Sequence, residues 1–254
     1  QVGLPAVRSR SHLAWVLAEL GDFAAARTVA EEGVRMAEAS NHTYTICHAC
    51  LGLGGTRVRQ GEFESAVAVL TRGISLTEQI PLLRPPLAAD LGLAYARTGR
   101  IADGLAQLDA AVEGAKSMGR MSRLPLLLVK CGEIHLLAGG TGDALRLATD
   151  ALRLATEQKE RGNQAYALLL LAECRGRDGS NTGVAEALFN DALTLTGELG
   201  MLPLRAHGHA GLWRLHRRHS THERAEEHLT AAAAMYREMG MRFWVEELER
   251  EAGG

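Results

Sequence analysis

Aromatic side chains are scarce in this chain: four Phe, three Trp and four Tyr among 254 residues. Sandwiches and barrels draw their cores from aromatic and β-branched runs. Such runs are missing here, which argues against a sheet architecture. Lysine is reduced to Lys116, Lys130 and Lys159, while arginine is abundant; we read that bias as coding composition. Four cysteines (Cys47, Cys50, Cys131 and Cys174) are too few for a disulfide scaffold in a chain this long and suit a reducing compartment. No apolar stretch approaches the roughly 20 residues that a membrane helix needs, and no signal-peptide pattern opens the sequence. The expected location is therefore the cytoplasm, with no membrane partner. Charge of one sign is also lacking. With 28 basic and 30 acidic residues and a formal charge of −2, no global field would recruit nucleic acid.

What is present is alanine, leucine and a period. "GDFAAARTVAEEG" (21–33), "GEFESAVAVLTRG" (61–73), "GRIADGLAQLDAA" (99–111) and "GGTGDALRLATDA" (139–151) align without gaps. "SNTGVAEALFNDA" (180–192) and "STHERAEEHLTAA" (220–232) keep the later offsets but place serine at the turn. The small residues Ala26, Ala66, Gly104, Ala144, Ala185 and Ala225 recur at intervals of 40, 38, 40, 41 and 40. A fixed period of this length marks stacked helical pairs. Each unit holds two amphipathic segments, A and B, with apolar residues three and four apart. Prolines 5, 81, 85, 86, 125 and 203 all fall near the starts of A segments, where a missing N–H is harmless. The spacing predicts thirteen helices and no sheet.

The stretch "LGLAYARTGRIADGLAQLDAA" (91–111) resembles the tetratricopeptide repeat, through Leu91, Gly92, Tyr95, Gly99, Leu108 and Ala111. Departures from that pattern are Gly104 in place of the first helix-B alanine, no Leu-Gly pair in units five and six, and a period near 40 instead of 34. The resemblance implies an all-α, right-handed α-solenoid of about six extended helix pairs plus a carboxyl-terminal capping helix. It covers one array over 1–254, with repeats at 4–41, 42–81, 82–120, 121–160, 161–200 and 201–240 and a cap at 241–252. In the cap, Met241, Trp244, Val245, Leu248 and Ala252 share one helical stripe, while Glu246, Glu247, Glu249 and Arg250 face away. No comparable lid precedes Val7, so a fragment of a larger protein is expected. The segment 204–249 is similar to the carboxyl end of large bacterial multidomain signalling proteins, which carry such an array after cyclase-like and ATPase domains, and to LuxR-type activators. That likeness implies a regulatory, partner-binding role.

In tetratricopeptide arrays the concave groove is lined by helix-A residues at recurring offsets. Carried over, those offsets select Arg8, Trp15, Glu19, His48, Arg59, Arg97, Glu133, Arg177, Asp178, His207, Arg214, Arg217 and Arg218. Seven are arginine and three are acidic. Arginine holds carboxylates through two parallel hydrogen bonds, so an acidic protein or peptide segment is the expected guest, with the chain's own upstream domain as another candidate.

Catalytic signals are weak. Cys47-x-x-Cys50 has redox or zinc spacing but lacks a second pair, and Cys50 sits where the repeat packs an apolar residue. His207, His209, His216, His219, His222 and His228 crowd the last unit without a carboxylate at a shared ligand position. The glycine-rich 137–144 lacks the Gly-Lys-Ser/Thr of a phosphate loop and reads as a turn. The basic run 214–224 suits the carboxyl end of a helix dipole. Neither catalytic residue, metal nor cofactor is expected. The leading reading is a non-enzymatic protein–protein interaction scaffold in bacterial signalling. The alternative is a small-molecule-sensing repeat domain that regulates an upstream ATPase, cyclase or DNA-binding domain.

Overall fold

The structure is a computed structural model that describes residues 4–119, 124–178, 182–219 and 221–253, without the side chains of Gln79 and Asp178. Among the described residues it is all helix: α1 (Pro5–Glu19), α2 (Phe23–Ser40), α3 (Thr43–Gln60), α4 (Phe63–Ser75), α5 (Arg84–Arg97), α6 (Ile101–Ser117), α7 (Leu124–Leu137), α8 (Thr141–Glu157), α9 (Arg161–Asp178), α10 (Thr182–Leu199), α11 (Leu202–Arg218), α12 (His222–Glu238) and α13 (Arg242–Ala252). Two short 3-10 turns, Thr77–Gln79 and Pro81–Leu83, lie between α4 and α5. The odd-numbered helices up to α11 are the A helices, and α2 to α12 are the B helices.

The chain divides into two compact units, Gln1–Arg120 and Met121–Gly254. In the first, α1 packs on α2, α3 on α4 and α5 on α6, and each B helix then packs on the next A helix. The second repeats this with α7/α8, α9/α10 and α11/α12, and α13 closes on α12. Each A helix also touches the A helix of the next pair within its unit, whereas successive B helices hardly meet. The A helices therefore form the more closely spaced wall of each unit.

Two series of left-handed positions among the described residues set this geometry. The A-to-B turns use Gly21, Gly61, Gly99 and Gly139, with φ between +83° and +94°. The B-to-A turns use Asn41, Gly119, Lys159, Gly200 and Gly240, with φ between +46° and +68°. Asn41 and Lys159 carry no glycine signal, which hid this second series from the sequence. The turn serines at 180 and 220 lie outside the described residues. Between α4 and α5 the two 3-10 turns replace the left-handed residue, and here the repeat interval shortens to 38.

Helix pairs close where small residues permit it. A Cβ on Gly104 would stand 2.6 Å from the carbonyl oxygen of Gly92, and one on Gly92 would stand 2.8 Å from the carbonyl oxygen of Gly104. The departure at Gly104 thus lets α5 and α6 meet backbone to backbone. In the cap, Met241 and Leu248 are fully buried, Trp244 and Val245 are half-buried, and Ala252 is exposed. The stripe is therefore shorter than its spacing predicts.

Candidate functional site

The A-helix wall of the first unit gathers Trp15, Glu19 and Arg59. The Trp15 indole N–H donates to Glu19 Oε1 at 2.7 Å, and Arg59 Nε donates to the same oxygen at 2.6 Å. Arg59 lies 5.1 Å from the centre of the Trp15 ring and also donates to the Gly55 carbonyl at 3.1 Å. Gly55 makes room for this cluster. A Cβ there would come within 3.2 Å of Asp90 Oδ2 and 3.3 Å of Arg59 Nη1, so the buried Asp90 carboxylate and the Arg59 guanidinium both border Gly55. His48 is buried, with Nε2 3.0 Å from the Tyr44 hydroxyl. Arg8 is exposed and Arg97 half-buried.

The second unit has a parallel arrangement. Arg214 holds Glu251 of α13 through two hydrogen bonds, at 2.7 and 2.9 Å, and lies 3.7 Å from Glu173 of α9. Burial opposes its charge, but the hydrogen bonds it donates to Glu251 and the charges of Glu173 and Glu251 outweigh that and raise its pKa. Arg217 donates to the Glu251 carbonyl and sits 4.7 Å from the Trp213 ring centre. Arg177 donates to the Leu136 carbonyl at 2.9 Å, and Arg218 to the Gly176 carbonyl at 3.3 Å. His207 Nδ1 stands 2.6 Å from the Tyr236 hydroxyl, with the Trp244 ring 4.5 Å away. Glu133 is half-buried, and the side chain of Asp178 lies outside the described residues.

Sequence reasoning thus found the arginines and missed Asp90, Glu173 and Glu251. The repeat register held a signal. Glu19 to Arg59 spans 40 residues, Glu173 to Arg214 spans 41 and Arg214 to Glu251 spans 37, so opposite charges about one period apart become neighbours on consecutive A helices or, for Glu251, across to the capping helix.

The other candidates resolve into packing. Cys47 and Cys50 are buried, and burial pushes both thiols up to about 11. Cys47 Sγ lies 3.6 Å from the Gly73 carbonyl oxygen. His209, His228 and His216 form a column between α11 and α12: His209 Nδ1 is 3.0 Å from His228 Nδ1, and the His228 and His216 rings stack at 5.6 Å. His219 reaches Thr182 at 3.0 Å, and His222 is exposed. Among the described residues no three His, Cys, Asp or Glu side chains are grouped to hold a metal ion. The glycine-rich stretch is the turn into α8, with Gly139 at φ +83°. No described helix is long and apolar enough to cross a membrane.

No protein-family model and no curated protein matches the sequence. Solved structures do. NprR in complex with its cognate peptide NprX superposes with a TM-score of 0.73 at 14% identity, covering 98% of this chain and 72% of that one. A Rap protein complexed with competence and sporulation factor gives 0.69 at 13% identity over 97% of this chain and 71% of that one. A signal transduction ATPase from Pyrococcus horikoshii with a tetratricopeptide repeat sensor gives 0.59 at 15% identity, over 87% of this chain and 36% of its own. The fold is that of a tetratricopeptide repeat. This tetratricopeptide-type chain keeps the paired helices and the small contact residues of that fold, with helices long enough to stretch its period to about 40.

Proposed function

We propose that this chain is a non-enzymatic interaction module of bacterial signalling that takes a peptide or partner segment along its A-helix wall, with residues 1–254 acting as one array. The supporting observation is the wall itself: charged and aromatic side chains on consecutive A helices, in a fold similar to that of NprR bound to its cognate peptide. Arg59 and Arg214 are already engaged by Glu19 and by Glu251 with Glu173. The guest's contacts therefore fall to Arg8, Arg177, Arg217 and Arg218, all exposed. Arg177 and Arg218 each place one Nη on a backbone carbonyl, which leaves further donors of the planar fork for a carboxylate. An acidic segment, free or in an adjoining domain of a longer protein, fits this chemistry.

The test is fluorescence anisotropy with labelled peptides of about 12 residues, acidic and charge-reversed, at low and physiological salt. The acidic set should bind, weaken as salt screens surface charge over about 8 Å, and lose roughly tenfold in the Arg177→Glu, Arg218→Glu double variant, in line with one charge-assisted bond. Equal binding of both peptide sets by the folded protein would overturn the reading.

A further inference from the structure

The side of α1 that faces away from α3 carries Leu13, Val16 and Leu20, exposed at 48%, 55% and 41%. They stand three and four residues apart, on one helical face. The repeat register gives Leu13 a counterpart in every later A helix: Leu53, Leu91, Cys131, Ala172 and Leu212, none more than 6% exposed. For Val16 four of the five counterparts, Thr56, Ala94, Ile134 and Leu215, are likewise buried, and the fifth, Arg175, is half-buried.

The structure shows what covers those counterparts. Leu53 shares a core with Ala14 of the preceding A helix and Ala30 of the preceding B helix. Leu212 and Leu215 share one with Leu169 and Ala172 of α9 and with Phe189 and Ala192 of α10. In both units this face receives a whole antiparallel helix pair. We propose that the open face of α1 is a docking surface for one more such pair, an A and a B helix seated as α1 and α2 are seated on α3. A second copy of this chain docking end to end would bring the outer face of α13, where Arg242, Glu246, Glu249 and Arg250 are exposed, against three apolar side chains. That match would take the exposed ion pairs Arg242–Glu246 and Arg237–Glu249 out of water against an apolar face, at a desolvation cost that their mutual attraction, already in place, does not offset.

The register allows a direct test with the full chain. A tandem variant in which residues 1–41 are followed by residues 2–254 places a second α1 after an intact α2 and keeps the 40-residue interval between Ala26 and its next equivalent. Val16→Cys in the second copy alone is then labelled with a maleimide, and the four native cysteines, all buried, give little background. Labelling should slow by about tenfold or more relative to Val16→Cys in the parent chain, since reagent access then requires local opening. Val16→Cys in the first copy should label at the parent rate, and Leu13→Glu in the second copy should restore fast labelling there. Unchanged labelling of the internal site would overturn the proposal. So would a tandem chain that gains no helix by circular dichroism, because the added pair would have found no face. A parent chain that sediments as a dimer and becomes monomeric on Leu13→Glu, Val16→Glu would assign the surface to a second copy instead.

Discussion

Arg177 Nη1 donates to the carbonyl oxygen of Leu136 at 2.9 Å. Leu136 lies in the last turn of α7, where its carbonyl also accepts from the Gly139 N–H of the turn at 3.2 Å and has no partner within the helix. Arg218 does the same for Gly176 in the last turn of α9, at 3.3 Å. Two of the A helices in this unit, α7 and α9, are thus capped at their carboxyl ends by a guanidinium from the next A helix, which also suits the negative end of the helix dipole. Arg177→Ala should cost about 1 kcal/mol, the net worth of one such hydrogen bond. Hydrogen exchange should quicken at the end of α7 and not in α11. Uniform loss of protection would contradict this local role.

Arg214 joins Glu173 of α9 to Glu251 of α13, with its side chain 27% exposed. Arg214→Met leaves two carboxylates facing each other without their cation. Removing one partner of a fully buried pair costs about 3–5 kcal/mol, and partial exposure reduces that here to roughly 2. Exchange in α13 should rise first. The Glu251→Gln change, which keeps hydrogen bonding, should be milder.

Burial in the cap ranks its residues differently from their size. Leu248 is fully buried while Trp244 is half-buried. Leu248→Ala should therefore lower stability by about 2–5 kcal/mol, the range for a large-to-small core change, and Trp244→Ala by less. Chemical denaturation followed by circular dichroism would read both; a larger loss at Trp244 would reverse the order.

The imidazole column between α11 and α12 is charge-averse. Burial, then the neighbouring His228 and Arg205, lower His209 to about 4, and burial lowers His216 and His228 as well. Glu186 and Arg224 face His216 and His228 with opposite effects, Glu227 favours charge on His228, and His219 opposes it on His216. In the unfolded chain each histidine takes a proton near pH 6.5. Between that value and about 4 the unfolded state binds more protons, so this stability is complete above pH 6.5 and is lost as pH falls through the window. His209, with the largest lowering of the three, contributes the largest share of it. Urea midpoints should drop between pH 7 and pH 5, and His209→Leu should flatten that slope. An unchanged slope would remove His209 from the account.

Much of this architecture was legible in the chain because it repeats. Gly21, Gly61, Gly99 and Gly139 announced one turn of each pair, and the small residues at fixed offsets announced the contacts. The other turn was hidden, since Asn41 and Lys159 adopt left-handed backbone that their side chains do not advertise. The wall was half legible. Helix-A offsets selected Glu19, Arg59 and Arg214, yet a charge's value depends on what faces it, and Glu173 and Glu251 stand 41 and 37 residues from Arg214. The histidines show the same limit: the chain places six of them in the last unit, while the shared contact of His209 and His216 with His228 needs the pairing of α11 with α12.

Gly92 and Gly104 each hold their carbonyl where the other's Cβ would be. A methyl group on either one would press into backbone, which cannot swing aside as a side chain does. Separating α5 from α6 would relieve it, but only by also loosening Ala96 and Leu108, which line the same approach. The two positions therefore behave as one heritable unit. Any re-spacing that admits a side chain at one glycine also makes room at the other, so new side chains can enter this contact only together with a re-spaced helix pair.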